Sequence, residues 1–473
     1  MPIKFHDTAS RKLVRFTPRV PGHAGIYVCG PTVYDHIHIG NARPLVVFDV
    51  FVRLLRSHYE KVTYVRNITD VDDKINARAN ALEISISTLT EKTIKDFKIA
   101  ARELGCIPPD YEPRATQYIP QMLELIRKLV ELGHAYKAAG HVLFDTKSFA
   151  QYGEFSGKSL DELLIGARVE TAPYKRSEAD FVLWKPSNLE QPGWDCEYGR
   201  GRPGWHIECS AMSKALLGND FDIHGGGLDL IFPHHQNEVA QSCCLHPENE
   251  YDQHFAKYWM HNGYVMSEGE KMSKSLGNFY TINDLLSEFP GEVLRLSLLK
   301  THYRKPLDFT KARLVETKAE LDGFYRLVQD EDMEAPLKTT AKQKIKTDQV
   351  PDAQFIKALE DDLNTPLALT RLHALADKIK AAKSDNVRKK AIEKFKVTAN
   401  FIGLLETNSS EWLQGKKVNS KTNIAHIERM IELRKEAKNN RDYKAADEIR
   451  NGLLEKKIIL EDKPDGRTIW RKI

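Results

Sequence analysis

Apolar positions near the start of the chain change their period from one segment to the next. The run Gly25-Ile26-Tyr27-Val28-Cys29-Gly30 is short, apolar and closed by glycine, which predicts a buried strand. After a loop, Val46, Val47, Val50, Phe51, Leu54 and Leu55 recur at helical spacing, so a helix is predicted from Pro44 to Ser57. Lys61 to Thr69 alternates its apolar residues and reads as the next strand. Strand, loop, helix and strand form a βαβ unit, and repeated units of this kind build parallel sheets. A second such region is predicted where Phe221-Asp222-Ile223-His224 runs into Gly225-Gly226-Gly227.

Between these halves, roughly 121–199, lie a helical stretch and then shorter, irregular elements, the profile of an insertion between two half-sheets. From about Thr310 to Leu405 the pattern is helical and amphipathic, interrupted by a polar segment near Glu331–Pro351. The last piece shows two helical patterns joined near Asn439-Asn440-Arg441. It then shows two apolar runs, Ile458-Ile459-Leu460 and Thr468-Ile469-Trp470, around Pro464-Asp465-Gly466, which signals a hairpin.

Length changes the picture first: 473 residues suggest about three domains at roughly 150 residues each. With 41% hydrophobic and 29% charged residues the composition is that of a globular protein. Nothing approaches the roughly 20 apolar residues of a bilayer span, so membrane, collagen-like and disordered classes are excluded. The opening Met1-Pro2-Ile3-Lys4-Phe5-His6-Asp7 lacks a signal-peptide segment, and six cysteines in so long a chain do not describe a disulfide scaffold. A reduced, cytoplasmic protein with a thiolate metal site is expected. The net charge of +4 is unevenly placed: from Glu411 onward there are 16 Lys+Arg against 11 Asp+Glu, leaving the rest at −1. A basic module on a near-neutral body suggests nucleic acid as its partner.

Three constellations carry chemistry. Pro31-Thr32-Val33-Tyr34-Asp35-His36-Ile37-His38-Ile39-Gly40-Asn41 lies after a strand and before a helix, where unpaired N–H groups and the helix dipole attract anions. Lys271-Met272-Ser273-Lys274-Ser275, bounded by Gly269 and Gly277, puts two lysines on a loop able to neutralise a triphosphate. His234 and Glu238 are four apart, so a helix would carry both on one face, while Cys29 ends the first strand and Cys209 follows the segment of Trp205. Spacing alone does not separate these from His235, Cys243 or Cys244.

His38-Ile39-Gly40-Asn41 followed far downstream by Lys271-Met272-Ser273-Lys274-Ser275 resembles the signature pair of class I aminoacyl-tRNA synthetases. Further segments narrow the match: Tyr27-Val28-Cys29-Gly30, Arg66-Asn67-Ile68-Thr69-Asp70-Val71-Asp72-Asp73-Lys74, Gly201-Arg202-Pro203-Gly204-Trp205-His206-Ile207-Glu208-Cys209-Ser210, and Asp222 through His235. Together they resemble the cysteinyl-tRNA synthetase family over essentially the full length. One departure is Asn41, where the family usually has histidine; an amide still donates to a phosphate oxygen but cannot become cationic.

The resemblance implies an α/β fold: a Rossmann-like parallel-sheet catalytic domain in two halves, 1–120 and 200–265, with an insertion at 121–199. A signature-loop and stem-contact region at 266–309, a helical bundle at 310–405 and a small α+β anticodon-binding domain at 411–473 would follow. It implies ATP-dependent activation of L-cysteine and transfer to the 3′ end of tRNA(Cys). It assigns Cys29, Cys209, His234 and Glu238 to one Zn²⁺ ion, a tetrahedral donor set of two thiolates, an imidazole and a carboxylate. Zinc would take the substrate sulfur as thiolate and reject serine, where steric or apolar differences give only about 10²-fold selectivity. His38, Asn41, Lys271 and Lys274 would stabilise the phosphates, Asp229 would lie near the ATP ribose, and Thr69 and Trp205 near the amino-acid backbone. Mg²⁺ is expected with ATP, and a monomer is favoured over an oligomer. Two alternatives stand beside this reading: a mycothiol-pathway cysteine ligase, which lacks the basic C-terminal module, and a non-catalytic zinc-stabilised RNA-binding protein.

Overall fold

Residues 2–157, 172–246, 255–271, 278–329, 350–415, 421–462 and 468–472 are described in the computed structural model. They fall into two units, Met1–Thr310 with Ala353–Leu369, and Lys311–Asp352 with Thr370–Ile473.

At the centre of the first unit, strand β1 (His23–Val28) pairs in parallel with β2 (Lys61–Arg66) on one side and with β3 (Asp220–Gly227) on the other. Strand β4 (Phe255–Asn262) extends the sheet beyond β3, giving the order β4-β3-β1-β2. Ala24, Ile26, Tyr27 and Val28 are all buried, so β1 reads as a continuous apolar run because both faces of the sheet are covered. The chain winds outward from β1 in one direction and from β3 in the other. In open α/β sheets that reversal opens a ligand crevice at the carboxyl ends of the two central strands. Cys29 and Gly225-Gly226-Gly227 lie at those ends.

Helix α1 (Ile39–His58) covers the sheet with Val46, Val47, Phe48, Val50, Phe51, Leu54 and Leu55. Packing is so close that a Cβ on Gly225 would lie 2.4 Å from the Phe48 ring. The helix begins at Ile39, earlier than the apolar spacing predicts, and Pro44 lies inside it. A capping box explains the difference: His38 Nδ1 accepts from the Gly40 N–H at 3.0 Å, and Asn41 Oδ1 accepts from the His38 N–H at 3.2 Å. Strand β2 likewise stops at Arg66, short of Thr69. Asn67 instead accepts from the Gly30 N–H at 2.8 Å, and the Thr69 hydroxyl donates to Glu208 at 2.9 Å.

A second four-stranded sheet, antiparallel, takes Ala135–Ala138, His141–Phe144, Phe181–Pro186 and Gly201–Pro203 in chain order. One core joins it to the parallel sheet, from Tyr27 through Met122, Phe144, Trp184 and Met212 to Trp259. A small third sheet pairs Val265–Ser267 in parallel with Leu307–Phe309 and antiparallel with Glu270–Lys271. Ala353–Leu369 is tied to this unit through Asp362, which accepts from the His6 N–H at 2.9 Å, Tyr303 Oη at 2.7 Å and Arg304 Nε at 2.8 Å.

In the second unit, helix Lys311–Val328 presents Phe324 edge-on to Phe395 of Asp385–Phe401. Tyr325 stacks on Trp412 at 4.4 Å, and Trp412 Nε1 donates to Asp322 at 2.7 Å. Helices Lys421–Asn439 and Tyr443–Glu455 pack with the antiparallel pair Ile458–Asp462 and Thr468–Lys472 around Ile427, Leu453, Ile458, Leu460 and Trp470. The turn read at Pro464-Asp465-Gly466 lies outside the described residues, as does most of the polar segment near Glu331–Pro351. Among the described residues no helix is long and apolar enough to cross a membrane.

Candidate metal centre and active site

Three elements deliver side chains to the crevice. The end of β1 carries Cys29. Helix α2 (Trp205–Leu217) carries Trp205, Glu208 and Cys209 on its first turns. The chain leaving β3 turns through Asp229 and His234 into helix α3 (Gln236–Cys243), which carries Glu238.

Cys29, Cys209, His234 and Glu238 place one ligand atom each within 4.8 Å of one another. The sulfurs are 3.8 Å apart, Cys29 Sγ is 3.7 Å from Glu238 Oε1, and His234 Nε2 is 2.9 Å from the same oxygen. A second set, Cys29, His224, His235 and Glu238, meets the same distance and shares two members with the first. In both sets the imidazoles already have partners: His224 Nε2 lies 2.8 Å from Glu238 Oε2 and His235 Nδ1 2.7 Å from His261 Nε2, while His234 Nδ1 lies 3.1 Å from His206 Nδ1. Among the described residues Cys243 and Cys244 join neither group.

The charges explain what this cluster can hold. Burial raises the Cys29 thiol well above its ordinary value, helped by its bond to Cys209. Burial also pushes Cys209 upward, yet the Cys29 S–H and the nearby His234 bring it down to about 6. Glu238 is held down at about 2, against burial, by His224 and His234. His234 rises to about 10, again against burial, because Glu238 and Cys209 face it. The result is one imidazolium beside two anions, and a divalent cation can replace that proton while gaining both anions as ligands. Two sulfurs, a nitrogen and an oxygen match what a tetrahedral zinc site needs. The outer contacts match too, since His224 can donate to the free oxygen of Glu238.

Trp205, 37% exposed, stacks on the His234 ring at 4.3 Å and 18°. Thr69 is buried and bonded to the helix that Trp205 begins, its hydroxyl donating to Glu208 at 2.9 Å and accepting from Asn67 Nδ2 at 3.3 Å. With its proton used and one lone pair taken, the remaining lone pair of Thr69 can only accept, which suits an ammonium group.

His38 and Asn41 sit at the start of α1, where the capping box joins them. Burial lowers the His38 imidazole, an effect opposed by Asp229. The chain just beyond the lysine motif docks here: Ile39 N–H donates to Tyr280 O at 3.1 Å, Ile282 N–H to Ile37 O at 2.9 Å, and Phe279 meets the His38 ring at 5.1 Å. The segment 279–282, downstream of the lysine motif, is thus tied to the start of α1. Lys271 is placed by its backbone alone, in the strand Glu270–Lys271, and Lys274 lies outside the described residues.

His224, His235 and His261 line the cluster; sequence reasoning left His235 open as an alternative ligand and named neither His224 nor His261. Their signal was present as histidines at buried strand positions, at Asp222-Ile223-His224 and at the end of β4.

Sequence comparisons with known proteins agree on one family. Residues 15–319 match the model of the tRNA synthetases class I (C) catalytic domain, and 354–406 match the DALR domain. The chain is 51% identical to the Cysteine--tRNA ligase of Rhodospirillum rubrum, covering 100% of both chains. It is 51% identical to that of Acidiphilium cryptum over 99% of each. Among solved structures, Mycobacterium tuberculosis methionyl-tRNA synthetase with methionyl-adenylate aligns at a TM-score of 0.53 and 14% identity, covering 83% of this chain and 91% of that one. A putative arginyl-tRNA synthetase from Campylobacter jejuni aligns at 0.52 and 15%, covering 81% and 94%.

Proposed function

The chain belongs to the cysteine--tRNA ligases, class I synthetases, and we propose that its Cys29, Cys209, His234 and Glu238 hold one zinc ion that selects the substrate. The reaction is ATP-dependent activation of L-cysteine to cysteinyl-adenylate, followed by transfer to the 3′ end of tRNA(Cys). The observation that carries the metal reading is the buried quartet whose ligand atoms lie within 4.8 Å of one another. Bound there, zinc supplies a soft Lewis acid that favours the substrate thiolate over a serine hydroxyl.

The chain's own residues do the rest by position and charge. Thr69, fixed by Glu208 and Asn67, accepts from the cysteine ammonium, and Trp205 walls the same pocket. Asp229 takes the ATP ribose. His38, Asn41, Lys271 and Lys274 donate to the phosphates as pyrophosphate departs, with Mg²⁺ accompanying ATP. No covalent enzyme intermediate is required.

The domain roles follow the same reading: 1–120 and 200–265 form the catalytic body around the insertion 121–199, 266–309 the stem-contact region, 310–405 the helical bundle, and 411–473 the anticodon-binding module. The same reading takes the enzyme as a cytoplasmic monomer. Cysteine-dependent exchange of pyrophosphate into ATP, measured with metal content, tests the whole. One zinc per chain, and loss of cysteine selectivity over serine when it is removed, are the expected results. Full selectivity in metal-free protein would sink the zinc reading.

A further inference from the structure

Arg43 is fully buried on α1, two residues beyond Asn41. No carboxylate partners it among the described residues; its guanidinium grips four backbone carbonyls. Nη1 donates to Gly263 O at 2.9 Å and Tyr264 O at 2.7 Å, while Nη2 donates to His302 O at 3.1 Å and Lys305 O at 2.6 Å. Each nitrogen therefore serves one chain segment. The first runs directly into Val265–Ser267 and on to Glu270–Lys271; the second leads to Leu307–Phe309, which pairs with Val265–Ser267. Burial lowers Arg43 to about 10, so it stays charged at neutral pH. Desolvating a cation for carbonyls alone is costly, and a rigid two-pronged fork is what the arrangement gains.

We propose that Arg43 is a positioning residue for adenylation: it sets the strand Val265–Ser267 at a fixed distance from the helix start that carries His38 and Asn41. The inference rests on the reading of His38 and Asn41 as phosphate-facing. The same carbonyl cradle needs Gly263, where a Cβ would lie 2.7 Å from Lys305 O and 2.8 Å from Arg304 O. Arg43 touches neither ATP nor cysteine; it acts through the two segments it ties together. A lysine keeps the charge but serves as a single point, unable to hold both segments in one plane.

The test compares the zinc-loaded full-length protein with Arg43→Lys and Gly263→Ala in cysteine-dependent pyrophosphate exchange. Misplacement of about 1 Å costs roughly 10²-fold in rate, so kcat should fall by about that factor in Arg43→Lys. Gly263→Ala should show a smaller loss of the same kind. In both, KM for cysteine and the zinc content per chain should stay at the parent values, because the metal cluster lies elsewhere in the crevice. Parent-level kcat in Arg43→Lys would overturn the proposal. So would a joint loss of cysteine affinity, zinc and thermal stability, or failure of both variants to fold, since either would make Arg43 a determinant of folding. Absence of exchange in the parent protein would instead remove the phosphate-side reading and the proposal with it.

Discussion

Glu238 and Asp462 are both carboxylates clamped by cations, and they serve opposite ends. Glu238 is fully buried between His224 at 2.8 Å and His234 at 2.9 Å. Asp462, with 43% of its side chain exposed, accepts from Arg434 at 2.8 and 2.9 Å, Lys438 at 2.6 Å and Thr468 at 2.7 Å. Both are held below the usual carboxylate range, Glu238 against burial and Asp462 chiefly by its bonds from Arg434. The difference lies in the partners. Arginine and lysine keep their protons, so the Asp462 cluster can only fasten a hairpin to a helix. An imidazole can bind a metal in place of its proton, as a guanidinium or ammonium cannot, so the Glu238 cluster can exchange the proton that Glu238 and Cys209 hold on His234 for a metal.

The contrast breaks most sharply at Cys209. Cys209→Ser replaces a sulfur held near 6 with a hydroxyl that does not ionise at neutral pH. Zinc binding and cysteine activation should fall by more than the about 10–100-fold expected of an outer contact, while ATP affinity changes little. Retention of zinc, measured by elemental analysis, would move the ligand set to the alternative quartet. By the same comparison, removing the Asp462 module should spare the first reaction step. A chain ending at Gly415 keeps Trp412, whose stacking on Tyr325 a cut at Glu411 would destroy. It should retain pyrophosphate exchange but bind tRNA roughly 10²-fold more weakly, with a shallower salt dependence as phosphate contacts are lost. Unchanged charging of tRNA would deny the module its role.

His224→Phe sharpens the comparison from inside. The ring keeps its stacking on Trp259, at 4.6 Å and 12°, but the donor to Glu238 is gone. Zinc affinity should drop by about 10–100-fold. An unchanged affinity would show that Glu238 needs no orienting partner.

What the sequence made legible follows the range of the interactions. The parallel sheet could be read because apolar period and glycine punctuation are local properties of β1 and of the chain around Gly225. The start of α1 was misplaced because Pro44 is a strong local signal, whereas the capping box involves side chains of His38 and Asn41 that also carry chemical meaning. His224 went unassigned because a histidine on a strand gives no sign of which carboxylate it will meet, and His235 stayed open because spacing does not separate it from its neighbour His234. Arg43 was invisible for a related reason: its partners are carbonyls, and carbonyls have no residue identity to read. The ties of Asp362 to His6 and Tyr303 span 356 and 59 residues, both beyond any window in which periodicity operates.

The smallest expected effect tests Asp462 itself. Asp462→Asn leaves Arg434, whose side chain is 5% exposed, without its charged partner. Because Asp462 is itself well solvated, the cost should fall between that of a surface pair and a buried one, about 1–2 kcal/mol at neutral pH. The sign with pH follows from the direction of the shift. A carboxylate held below its unfolded value, about 3.9, contributes stability that is present above that pH and lost as pH falls toward the folded value. The parent module should therefore lose stability on acidification below about pH 4, and Asp462→Asn should be flatter over the same window. Hydrogen exchange in the strand Ile458–Asp462 reads the module alone, and pyrophosphate exchange should be unmoved. An equal loss of stability in both proteins on acidification would show that other carboxylates control the module. A fall in pyrophosphate exchange would mean that this clamp, unlike an element of folding alone, also reaches the chemistry.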